Sequence, residues 1–113
     1  MNLEYTNTPN DDLMVKLCGE MDALGCTQIR TELERIGSSE TSNNVVLDLS
    51  QVSFLDSSGI GVIVFLYKRL KARDCTLEIT GALGQPLELM KLLRIDKAIP
   101  VSMVSPVISM ATN

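Results

Sequence analysis

The stretch of this chain whose residue types could carry chemistry is Asp56-Ser57-Ser58-Gly59, a carboxylate followed by two hydroxyls. A serine hydroxyl becomes a nucleophile when a base takes its proton. The chain contains no histidine, so it cannot assemble a Ser-His or Cys-His pair from its own residues. A lysine or carboxylate base stays open, and no spacing selects one. Cys18, Cys26 and Cys75 are odd in number and lack paired metal-site spacing. They read as small buried hydrophobes in a reducing compartment. No GxxxxGK[ST] loop is present to cradle a nucleotide phosphate. Neither a metal nor a cofactor is expected.

A change of hydrophobic period positions the two serines. Val45, Val46, Leu47 and Leu49 form an apolar, largely β-branched run, the pattern of a strand covered on both faces. Ile60, Ile63, Val64 and Tyr67 then recur at i, i+3, i+4 and i+7, which is helical spacing. Asp56 is therefore expected as the N-cap, with Ser57 and Ser58 in the first turn. These residues are ordinary helix-start chemistry. The same geometry exposes a hydroxyl where a helix N-terminus could receive phosphate. Spacing alone does not choose between the two.

Gly59 and Gly61 follow in the same helix, each sacrificing about 1 kcal/mol of helix propensity relative to alanine. Two readings stand side by side. Either the glycines allow close packing of helix on sheet, or they form a flat surface that lets another protein's backbone approach Ser57. Val62, Phe65 and Leu66 are expected to add apolar area away from the main stripe.

The elements around this junction read as follows. Leu3 to Thr6 and Leu13 to Cys18 are strands joined by Thr8-Pro9-Asn10-Asp11. Gly19 to Gly25 is a loop or an early helix turn. Cys26, Ile29, Leu33 and Ile36 share one helical stripe, with Gly37 as its stop and Arg30–Glu34 as an outer i, i+4 pair. Residues 38–44 form a polar connection, and a fourth strand ends at Thr80. Pro86 opens a helix whose core stripe is Leu89, Leu92 and Leu93, ending near Arg94 or Ile95. Ala98 to Val101 is expected as a short strand, held to an edge by Pro100. Ser105-Pro106 would open a last helical turn. The order ββαβαβαβ, with a terminal α turn left open, gives an α/β fold with helices packed on a mixed sheet.

With 113 residues there is room for one domain, residues 1–113, and for one core. Aromatics make up only 4% of the chain, so that core must be aliphatic, with six methionines available to fill gaps. Ten basic and fourteen acidic residues leave a net charge of −4, which argues against nucleic acid as a partner. Lys68, Arg69, Lys71 and Arg73 cluster where cations complement a helix C-terminus and read as a solvated face. The polar, acidic amino terminus lacks the layout of a secretory signal. The longest apolar run, Val62 to Tyr67, is far short of a membrane span. A cytoplasmic protein without membrane contact is expected.

The string SFLDSSGIGV at 53–62, with its apolar and basic helix to Lys71, resembles the phosphorylation loop of bacterial anti-sigma-factor antagonists, the single-domain STAS proteins. Leu17-Cys18-Gly19-Glu20-Met21-Asp22 resembles the LxGELD turn of the same family, at a matching separation. The resemblance covers nearly the whole chain and implies a STAS fold with Ser57 as phosphoacceptor. By the same resemblance the chain is a non-enzymatic partner switch. Unphosphorylated, it binds an anti-sigma factor or a histidine-kinase-like serine kinase that uses ATP; phosphorylation releases it, and a PPM-type phosphatase restores it. Asp56 would cap the helix and orient the hydroxyl, Ser58 would support the loop, and Gly59 and Gly61 would permit docking. Asp22 is either an interface residue or a plain turn residue. Two other classes remain: a STAS module that senses a ligand or nucleotide at this loop, and an enzyme with Ser57 as nucleophile. The tail departs from the family, whose members end in a longer amphipathic helix.

Overall fold

The computed structural model describes residues 1–38 and 44–102. Its elements are strands β1 (Asn2–Asn7) and β2 (Leu13–Met21), helix α1 (Ala23–Ser38), strand β3 (Asn44–Leu55), helix α2 (Ser57–Lys71), strand β4 (Thr76–Thr80), helices α3 (Gly84–Leu92) and α4 (Ile95–Ala98), and strand β5 (Val101–Ser102). The five strands lie in sequence order across one sheet. β1 pairs antiparallel with β2, and every other pair is parallel. The expected mixed α/β fold is present. No described helix is long and apolar enough to cross a membrane.

β3 is the axis because its sequence can be covered on both faces. Val45 through Leu49 are all buried, Asp48 included. Val45, Leu47 and Leu49 are each 1% exposed or less, and burying a side chain of this class contributes roughly 1.5–3 kcal/mol. The Asp48 carboxylate is not stranded, since its Oδ1 accepts from the Ser50 N–H at 2.9 Å. On β2 the alternation is cleaner: Leu13, Val15 and Leu17 are buried while Met14, Lys16 and Cys18 are half-buried. The core is aliphatic, and none of its largest fully buried side chains is aromatic. Met21 and Met90 are the methionines that fill it.

Several expectations change in the structure. Gly19, Glu20 and Met21 belong to β2 instead of a loop. Two register irregularities, at Lys16/Cys18 and Gly19/Glu20, let the strand run on beside β3, and Gly19, at φ 120°, supplies the backbone that one of them needs. Cys26 is buried, but Cys18 and Cys75 are only half-buried. Gly37 does not stop α1; it is buried inside the last turn, and a Cβ there would lie 3.1 Å from Arg69 Cβ and 3.4 Å from Leu66 Cδ1. The exposed ion pair on α1 is Arg35–Glu32 at 3.0 Å. No Arg30–Glu34 ion pair occurs among the described residues, in keeping with the weaker order of Arg preceding Glu.

The C-terminal third departs most. The buried stripe of α3 is Pro86 and Met90, supported by half-buried Leu87 and Leu89, whereas Leu92 is 77% exposed and Leu93 48%. Pro86 is the third residue of the helix, not its first. Arg94, in the left-handed conformation at φ 59°, separates α3 from α4. Ala98 ends α4, and only Val101 and Ser102 pair with β4. Pro100, without an N–H, contributes only its carbonyl, accepting from Ile79 N at 2.8 Å. The turn expected from Ser105 and most of the 38–44 connection lie outside the described residues.

Candidate functional site

The site is built from two neighbouring strand-to-helix turns made in the same way. Parallel pairing sets Met21 of β2 opposite Leu55 of β3, so the next residues, Asp22 and Asp56, emerge at the same end of the sheet. Each caps a helix. Asp56 is extended, and its Oδ1 accepts from Ser58 N at 2.9 Å and Gly59 N at 3.3 Å. Asp22 Oδ1 accepts from Gly25 N at 2.8 Å. A cap of this kind is worth about 0.5–2 kcal/mol. Asp22 thus has a defined structural role at the tip beside Asp56.

Ser57, the first residue of α2, is exposed, and Ser58 is half-buried. The Ser57 hydroxyl has no hydrogen-bond partner among the described residues, and the bonds of Asp56 go to backbone N–H groups, so no bond from Asp56 orients it. No described residue is hydrogen-bonded to that oxygen as a general base would be.

Helices α1 and α2 run side by side above these turns. They meet closely at their C-terminal ends, where Gly37 abuts Arg69 and Leu66 and Arg73 Nη1 donates to Gly37 O at 2.9 Å. Between the first half of α2 and the middle of α1 they leave a gap. The gap is a groove of about 410 Å³ lined by Ser57, Ser58, Gly61, Val62 and Phe65 from α2 and by Arg30, Leu33 and Glu34 from α1. Phe65 is 39% exposed, and the Arg69 guanidinium sits 5.0 Å from its ring centroid. Arg69 and Arg73 are therefore tied to specific partners and do not form a purely solvated face.

The two glycines separate. Gly59 is buried, and a Cβ there would press on Leu55 Cδ1 and lie 2.8 Å from Met21 O and 2.9 Å from Met21 Cβ. Gly61 is exposed with nothing within 4 Å. Close packing is thus the geometry of Gly59, and an open small surface that of Gly61. Val62 and Leu66 also turn inward to the core with Ile63 and Leu70, while Ile60, Val64 and Tyr67 are only half-buried, so the main stripe is rotated from the one expected.

The electrostatics of the tip register on Cys26. Burial pushes its thiol up from the ordinary value near 9, Asp56 adds to the rise, Arg30 opposes it, and Asp22 adds a little more. The thiol is held neutral, which makes it an inert core group. Among the described residues no cluster of three or more His, Cys, Asp or Glu could hold a metal.

One supporting residue had no sequence signal. Gln85, in the first turn of α3, donates from Nε2 to Leu55 O at 2.7 Å and accepts at Oε1 from Leu55 N at 2.8 Å. It completes the backbone pairing of β3 directly before Asp56. Gln85→Ala is expected to lower stability by about 1–3 kcal/mol, the cost of leaving two partly buried backbone groups without a side-chain partner. Hydrogen exchange should show faster exchange at Leu55 N–H. An unchanged rate would remove Gln85 from the support of the tip.

Comparison with known proteins places this geometry. The model of the STAS domain matches residues 2–106. The anti-sigma-B factor antagonist of Listeria monocytogenes is 26% identical over 106 residues, covering 92% of this chain and 90% of the relative. Among solved structures, an anti-sigma factor antagonist from Mycobacterium paratuberculosis superposes with a TM-score of 0.83 at 18% identity, over 97% of this chain and 92% of the other. The Bacillus cell-fate determinant SpoIIAA in its phosphorylated form gives 0.73 at 14% identity, over 98% of each. The two structures share the fold.

Proposed function

The chain belongs to the STAS domain family, and from that membership we propose that it is a partner-switching regulator of the anti-sigma-factor-antagonist type, with Ser57 as its phosphoacceptor. The observation that carries the reading is an exposed serine hydroxyl on the first residue of α2, beside an open groove and with no hydrogen bond to a base among the described residues. A serine so placed accepts a phosphoryl group from another enzyme more readily than it performs catalysis. The partner kinase would bring ATP and the base. The bond from Ser57 Oγ to the γ-phosphorus forms, the bond from that phosphorus to its bridging oxygen breaks, ADP leaves, and the hydroxyl proton passes to the kinase. A PPM-type phosphatase would return the serine by delivering water to the phosphorus and releasing inorganic phosphate.

In this reading the unphosphorylated chain docks on an anti-sigma factor or histidine-kinase-like serine kinase in the cytoplasm. Asp22, Asp56, Ser58 and Gly61 surround the docking point. Gly59 contributes by holding α2 close to β2 and β3. Ser58 is the weaker acceptor, because the residue is half-buried where Ser57 is exposed.

Phosphopeptide mapping after reaction with the cognate kinase should place the label on Ser57, with little on Ser58, and Ser57→Ala should lose it. Dominant label on Ser58, or undiminished label in Ser57→Ala, would defeat the assignment. Incubation with ATP alone separates the other classes, since turnover without a partner indicates an enzyme and stable nucleotide binding a ligand sensor.

A further inference from the structure

We propose that the groove between α1 and α2 is the seat of the phosphate itself: once Ser57 is phosphorylated, the group lies in the groove and pairs with the Arg30 guanidinium. The proposal rests on the reading of Ser57 as phosphoacceptor and adds the group that receives the modification.

Four observations carry it. Ser57 and Arg30 line the same groove, on opposite helices, and Arg30 is the single cation of that lining among the described residues. Its volume of about 410 Å³ is that of roughly a dozen waters at ~30 Å³ each, room for a phosphoryl group with its first hydration. Arg30 makes no ion pair with a described carboxylate, so the guanidinium is available. The charges of Arg30 and Asp56 both act on Cys26, so Cys26 and Arg30, one turn apart on α1, lie on the side of that helix that faces the start of α2.

The chemistry fits a phosphate on this chain better than a neutral ligand. A guanidinium presents paired N–H donors that match two phosphate oxygens. Leu33 and Val62 make part of the wall apolar, which strengthens the pair relative to open water. Gly61, with no side chain, leaves the entrance clear. Glu34 on the same wall and Asp56 and Asp22 at the tip all repel the phosphate, so Arg30 decides whether the group enters the groove or points to solvent.

The test places phosphoserine at position 57 during synthesis and follows its 31P resonance with pH in the full chain. The second ionisation should occur about 0.2–0.7 pH units lower in the parent than in Arg30→Gln, the range set by an exposed ion pair. Arg30→Lys should fall between them, and Glu34→Gln should shift the parent lower still. Circular dichroism confirms that each variant is folded. Equal titration of the parent and both Arg30 variants overturns the proposal. So does an Arg30→Gln chain that titrates like the parent but binds its partner less well when unphosphorylated, because Arg30 then serves a partner carboxylate. Since no kinase is used, equal titration counts against Arg30 alone, whereas failure of a kinase to label Ser57 counts against the phosphoacceptor reading.

Discussion

A chain carrying phosphate on Ser57 is expected to lose its partner by about 100-fold or more while keeping its fold. The phosphate adds about −1.5 to −2 charges to a chain of net charge −4, at a tip that already holds Asp56 and Asp22. In the free protein the tip and the groove are open to water, which keeps those charges hydrated, and the start of α2 returns about 0.3–1 kcal/mol of favourable interaction. The capping bonds of Asp56 run to Ser58 and Gly59 N–H and leave the Ser57 side chain out of the cap. Modifying that side chain therefore breaks no bond that holds the helix.

Docking changes the balance because it removes water from the same groups. Two like charges at ~6 Å and an effective dielectric of ~20 repel by roughly 3 kcal/mol, which is about two decades of affinity. Arg30 offsets part of this, but three carboxylates, Asp22, Asp56 and Glu34, surround the same tip and groove. Thermal midpoint and circular dichroism of the two forms should agree, while their Kd values for the anti-sigma factor or kinase diverge. Raising the salt should narrow the gap, since exposed charges are screened over ~8 Å at physiological ionic strength. If the phosphorylated form loses affinity because its helix melts, the local electrostatic mechanism is wrong.

The part of this site that lies within one stretch of chain was legible in the sequence. The apolar run at 45–49, the helical spacing from Ile60 and a short carboxylate between them each obey a local rule, and together they place Ser57 on the first residue of α2. Asp22 was harder because its stretch reads as a loop or an early helix turn, with nothing to say where it lies relative to Asp56. Only the register that sets Met21 against Leu55 brings it beside Asp56. Gln85 was invisible, since a lone glutamine has no motif and its backbone partner is Leu55, thirty residues earlier. The groove was invisible for the same reason, because its walls come from two helices whose approach is set at Gly37 and Arg69, away from the tip.

Periodicity also misjudged the end of the chain. It reports that Leu89, Leu92 and Leu93 recur at helical spacing, but not how far the helix extends over the core. α3 ends at Leu92 and docks through Pro86 and Met90, which leaves the last two leucines in solvent. On α2 the error was one of phase. Val62 and Leu66 are more deeply buried than Ile60 and Tyr67, because tight packing of Gly59 on Met21 and Leu55 fixes which side of the helix faces inward.

That packing leads to opposite outcomes at two glycines only two residues apart. Gly59→Ala would set a Cβ 2.8 Å from Met21 O and 2.9 Å from Met21 Cβ, and against Leu55 Cδ1 as well. The leucine methyl can swing away, but a strand carbonyl and a Cβ cannot without moving β2. Overpacking of this kind costs about 1–3 kcal/mol, and the helix regains only about 1 kcal/mol of propensity. Because Met21 O and Cβ cannot yield, the net loss falls in the upper half of the resulting ~0–2 kcal/mol range, and a loss of about 1–2 kcal/mol should lower the thermal midpoint by about 4–8 °C. Gly61→Ala meets nothing within 4 Å, so it keeps the propensity gain and should raise the midpoint by a few degrees. The same openness makes Gly61 the better probe of docking. Gly61→Leu should remain folded and yet bind the partner less well, because its side chain projects into the approach to Ser57 and the groove. A folded Gly61→Leu with undiminished partner affinity would move the docking surface elsewhere, and a Gly59→Ala chain as stable as its parent would show that α2 can shift off the sheet.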